Sequence, residues 1–139
     1  MNELKVKKSL FALRIGVFIV MLVWTIDKFI KPEHTGRIFK KFYMIEGIGE
    51  YAAYGIGAIQ LVIILLFLVG LFKRFSYGFI LFIHGVSTFS TWAKYINPWE
   101  NGTLLFFAAI PMLAACYALY VLREEDTLFN IKVKNEQNT

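Results

Sequence analysis

Three stretches of this sequence, 51–72, 75–93 and 102–122, contain no Lys, Arg, Asp or Glu. Each is long enough, at about 1.5 Å per helical residue, to cross about 30 Å of hydrocarbon. A fourth stretch, 10–26, is interrupted only by Arg14. It follows the basic segment ELKVKKS, as a signal peptide would, but it has no small-residue cleavage site and runs straight into Asp27-Lys28-Phe29. It is therefore expected to be a span. Barrel strands alternate apolar and polar residues, and LVIILLFLVGLF does not, so the spans are read as helices.

The expected fold is all-α: a single polytopic membrane domain over 1–139, built as a four-transmembrane-helix bundle. Its spans lie at about 9–27, 51–72, 75–94 and 102–122, and a polar tail follows at 123–139. A hydrophobic share of 58% and a positive mean hydropathy agree with a membrane solvent. Nine basic residues (Lys5, Lys7, Lys8, Arg14, Lys73, Arg74, Arg123, Lys132, Lys134) fall on one side of such a bundle and six (Lys28, Lys31, Arg37, Lys40, Lys41, Lys94) on the other. That bias places both termini in the cytoplasm, with the chain in the cytoplasmic membrane. The net charge of +5 then reflects topology and attraction to anionic lipid, with no call for nucleic acid.

The connection between the first two spans is expected to carry an interfacial amphipathic helix at about 35–46. Pro32 stops the first helix, and Ile38, Phe39, Phe42 and Ile45 recur at helical spacing while Arg37, Lys40 and Lys41 face elsewhere. Such a helix floats at headgroup level over the bundle end or acts as a lid on an outward-opening site.

The order LRIG near the start of the first helix, DKFIKPE at its end and GIGAIQLVIILLFLVGLFKRFSYG after an aromatic-basic connection resembles the DoxX-like family of small four-helix membrane proteins. The likeness covers about residues 13–78. It implies a compact four-span protein, in some cases an accessory subunit of respiratory or sulfur-oxidising complexes that work with quinone. Many relatives carry Glu about where this sequence has Gln60, and an amide does not titrate.

Little in the sequence suggests catalysis or metal binding. The single Cys116 excludes an internal disulfide and a CxxC pair, and His34 and His84 lie on different segments, so no metal or haem site is expected. No Ser-His-Asp order, phosphate-binding glycine loop or HExxH motif is present, and no catalytic residue is assigned. Polar residues within or beside the spans carry the remaining signal, since a central charge costs about 2.5–3.5 kcal/mol on insertion scales. Arg14 lies one turn into its span and is expected to snorkel to the inner headgroups; an internal ion pair is the alternative. Asp27 and Glu50 flank the outer helix ends as loop carboxylates, with Lys28 and Lys94 as alternative partners.

His84 lies about 15 Å into the third span, too deep to snorkel. Ser87, Thr88 and Thr91 follow at i+3, i+4 and i+7, forming one polar stripe toward Lys94 and the outer surface. Gln60, on the antiparallel second span, matches His84 in depth to about 4 Å, so the two are expected to meet. Pro111 frees a backbone carbonyl near mid-span in the fourth helix. The stripe is either packing glue or a site where His84, Gln60, Ser87, Thr88 and Thr91 hold the polar head of a quinone or lipid. Four roles remain open: a non-catalytic binding or accessory subunit in a larger membrane complex or homo-oligomer, a small proton-linked transporter, a purely structural subunit and, ranked last, a stand-alone enzyme, for which the sequence offers no activated nucleophile or cofactor anchor.

Overall fold

The computed structural model describes residues 2–132, and these form helices and turns with no strand among them. Helix α1 spans Glu3–Ile30, α2 Pro32–Tyr43, α3 Glu50–Leu68, α4 Lys73–Ser90, α5 Trp92–Ile96 and α6 Ala109–Val121, with a 3₁₀ segment at Thr103–Ala108 leading into α6. Asn2 caps α1 by accepting from the Leu4 N–H at 3.0 Å. Lys31 ends that helix, and Pro32 opens α2 where its missing N–H costs nothing.

Helices α1, α3, α4 and α6 form a closed ring in which α1 packs on α3, α3 on α4, α4 on α6 and α6 on α1. The core between them comprises Leu10, Val17 and Met21 of α1, Ile64 and Phe67 of α3, Tyr77 and Ile80 of α4, and Cys116 and Leu119 of α6. Outward-facing positions are also apolar: Ile19, Val23, Ile59, Val62, Phe82, Phe89 and Leu105 are exposed. Exposed apolar surface of this extent marks a face that meets a membrane or a protein partner. Three helical segments, Glu3–Ile30, Glu50–Leu68 and Thr103–Val121, are long and apolar enough to cross a membrane. The fourth ring helix, α4, is more polar, with Lys73, Arg74, Ser76, His84, Ser87, Thr88 and Ser90 in its 18 residues.

Several expected boundaries shift. The amphipathic helix runs Pro32–Tyr43 rather than 35–46, because Pro32 begins it and Met44, at φ 56°, turns the chain out of it. It packs on α1 and α3 with Thr35 buried, while Arg37, Lys40 and Lys41 stay exposed. The expected 75–94 helix breaks at Thr91, so α4 and α5 are separate pieces. The expected fourth span begins as a 3₁₀ segment. The tail is not simply polar and free: its first part, 123–132, folds back onto the bundle.

Candidate functional site

Arg14 does not snorkel; it is fully buried. Its Nη1 donates to the Tyr77 hydroxyl at 3.1 Å and to Asn130 Oδ1, and its Nη2 donates to the Leu128 carbonyl. Nη1 also lies 3.3 Å from Asp126 Oδ2, and both side chains of that pair have no exposed surface. The Tyr77 hydroxyl donates a hydrogen bond to the same carboxylate oxygen at 2.6 Å. Lys73 Nζ donates to the carbonyls of Arg123 at 2.9 Å and Asp126 at 2.8 Å. Asn130 Nδ2 donates to the Asp126 carbonyl at 2.6 Å, and the Ile131 N–H donates to Val69 at 2.9 Å. The guanidinium therefore stays in the bundle because the tail brings it a carboxylate and two carbonyl-type acceptors. Of the two readings of Arg14, the internal ion pair is the observed one.

A turn at Gly70 makes this docking possible. Its φ of +70° suits glycine, and a Cβ there would lie 2.5 Å from Asn130 side-chain atoms. Phe129 covers the junction, its ring 5.0 Å from that of Phe11.

Near the middle of the bundle, the expected meeting of His84 and Gln60 does not occur. Gln60 Nε2 donates to Thr25 Oγ1 at 2.9 Å, and Thr25 donates to the Met21 carbonyl at 2.7 Å. His84 Nε2 instead lies 3.0 Å from the Ala109 carbonyl, at the junction of the 3₁₀ segment with α6. Equal depth did not suffice because Thr25 intercepts Gln60 from α1, whereas His84 faces α6. Trp24, the neighbour of Thr25, sets its ring against that of His84 with centroids 5.9 Å apart.

His84, Thr88 and Thr91 form a buried polar line along α4, with Ser87 half-buried beside it. Thr88 donates to the His84 carbonyl at 2.7 Å and Thr91 to that of Thr88 at 3.0 Å. Thr91 Oγ1 also meets the Tyr95 hydroxyl at 3.1 Å. These hydroxyls are thus satisfied largely within their own helix. His84 Nδ1 is buried with no hydrogen-bond partner among the described residues.

At the end of the bundle that carries α2, Asp27 pairs with His34 (Nδ1 to Oδ2, 2.6 Å), not with Lys28, whose Nζ donates to the Trp24 carbonyl at 3.2 Å. Glu50 accepts from the Tyr54 hydroxyl. Lys94 lies 4.0 Å from Glu100 and 5.8 Å above the Phe106 ring. Among the described residues, no group of three or more His, Cys, Asp or Glu is placed to hold a metal ion.

A groove of about 460 Å³ runs between α1 and α6, with Gly16, Val17, Val20 and Trp24 on one wall and Ala109, Pro111 and Met112 on the other. Two of its lining residues, Trp24 and Ala109, are the ones that touch His84. A wider, more open groove of about 960 Å³ lies between α4 and α6 against Phe82, Val86, Phe89 and Tyr117. No family model, no curated protein and no solved structure matches this chain.

Sequence reasoning missed Tyr77, Asp126, Asn130 and Trp24 as partners of the residues it named. A lone phenol among FSYGFILF and the mixed segment EEDTLFN were the available signals, but nothing in either points across the chain to Arg14.

Proposed function

We propose that this chain is a four-span membrane protein, α4 being the fourth span, that holds one lipophilic molecule in the α1–α6 groove as a non-catalytic binding subunit. Both termini are cytoplasmic and the Arg14–Asp126 network closes the inner end. The observation that carries the reading is a His84 imidazole with one unpartnered nitrogen, touching Trp24 and Ala109 in the lining of a groove whose volume falls within the usual range of about 300–1,000 Å³ for small-molecule sites. The larger α4–α6 groove is the less selective of the two, an open apolar surface for bilayer chains. Resemblance to the DoxX-like family supports a quinone-like or lipid ligand and a place in a larger membrane redox complex.

A purely structural subunit is the second reading, favoured by the hydroxyls of Thr88 and Thr91 binding their own backbone. One substitution separates the two. A Cβ at Gly16 meets nothing within 4 Å, so Gly16→Leu fills the groove without disturbing the core. Native mass spectrometry of protein extracted with its lipids is expected to show a stoichiometric lipophile on the wild type and its loss from Gly16→Leu, with the melting temperature nearly unchanged. Bulk lipid alone on both proteins would establish the structural role instead.

A further inference from the structure

We infer that the α1–α6 groove selects a lipophile whose head group donates a hydrogen bond, such as a phenol, alcohol or N–H group, in preference to one offering only a carbonyl or ether oxygen. This rests on the groove reading above and narrows it: of the quinone-like and lipid head groups proposed there, it favours a quinol or a lipid hydroxyl over an oxidised quinone, which has only acceptor oxygens. His84 Nε2 has two oxygen neighbours: the Ala109 carbonyl at 3.0 Å and Thr88 Oγ1 at 3.4 Å. The carbonyl can only accept, and the Thr88 hydroxyl already donates to the His84 carbonyl at 2.7 Å, so it too is left to accept. Nε2 therefore carries the ring proton. In a neutral imidazole Nδ1 then holds a lone pair and accepts. That atom is buried and unpartnered, and no carboxylate pairs with the ring among the described residues.

The imidazole thus enters the site with its donor already spent on the protein, so a ligand oxygen without a proton gains nothing from it. A ligand O–H or N–H, by contrast, fills the one open position. Trp24 lines the groove, is 42% exposed and packs its ring against that of His84, so on this inference a head group approaches the imidazole beside it. The stem of such a ligand then lies along Gly16, Val20 and Met112, an apolar wall.

Trp24 also supplies the readout. Trp92 and Trp99 are 63% and 86% exposed, so replacing both with Phe leaves Trp24 as the only tryptophan at little structural cost. Titration of this variant with para-octylphenol, and separately with para-octylanisole, compares ligands of matched stem and shape that differ in the O–H. The phenol is expected to change Trp24 fluorescence saturably and to bind about tenfold more tightly than the anisole, the ratio that one net hydrogen bond of about 1.4 kcal/mol gives. In His84→Leu that ratio is expected to fall to about one. Equal, saturable binding of both ligands to the His84 protein would overturn the head-group inference while leaving the groove reading intact. A phenol preference that survives His84→Leu would also overturn it, by assigning the acceptor elsewhere. Saturation by neither ligand would remove the groove reading and this inference together. Should His84→Leu fail to fold, His84→Phe, which keeps a ring against Trp24 and removes the acceptor nitrogen, supplies the same comparison.

Discussion

Asp126→Ala is expected to lower unfolding stability by about 3–5 kcal/mol, because it strands the Arg14 charge inside the bundle while leaving the tail without its anchor. The loss is read from equilibrium unfolding in mixed detergent micelles. Arg14→Lys should approach the same loss, since one ammonium cannot replace a planar fork that reaches Tyr77, Asn130 and the Leu128 carbonyl together. The paired variant Arg14→Met/Asp126→Leu should recover at least half of the deficit, because removing both charges also removes the cost of burying them. A wild-type-like Arg14→Lys would mean that the guanidinium reaches the headgroups after all.

Gly70→Val should cost roughly 2–4 kcal/mol, the sum of a β-branched residue forced to φ +70° and a Cβ 2.5 Å from the Asn130 side chain. The two contributions separate in a double-mutant cycle. In an Asp126→Ala background the tail no longer presses Asn130 against the turn, so only the backbone strain remains and the two losses are sub-additive. Full additivity in the same unfolding assay would show that the tail and the hairpin do not share this contact.

The helical elements were legible from the sequence because bilayer-length apolar runs have few other solutions; α1 contains the expected first span, and α3 covers the expected 51–72 span as far as Leu68. The amphipathic helix was legible from its spacing, but its start was not: Pro32 reads as the stop of the first helix and also opens α2. Breaks were harder to see. Thr91 leaves the helix through a local choice of backbone, and the 3₁₀ entry to α6 depends on packing that residue types do not encode.

The candidate site was legible as an inventory and not as a set of contacts. His84, Arg14 and Gln60 all stood out as polar groups in apolar runs, and His84 and Arg14 are buried. Depth along a helix follows from counting, but rotation about the helix axis follows from packing. Gln60 consequently found Thr25, and His84 found Ala109. Arg14 failed differently: its partner lies 112 residues away in a segment that reads as a solvated tail, and no local periodicity links the two.

The groove, the closed inner end and the head-group argument all presuppose that α4 crosses the membrane as a fourth span and that both termini lie on one side. Single cysteines placed at Asn2, Glu100 and Asn138 in a Cys116→Ala background test this directly; Asn138 lies outside the described residues. With a membrane-impermeant maleimide added to intact cells, the expected result is labelling at Glu100 alone, with Asn2 and Asn138 reacting only after the membrane is opened. Labelling of Asn2 and Asn138 from outside, or of one terminus without the other, would contradict the proposed topology.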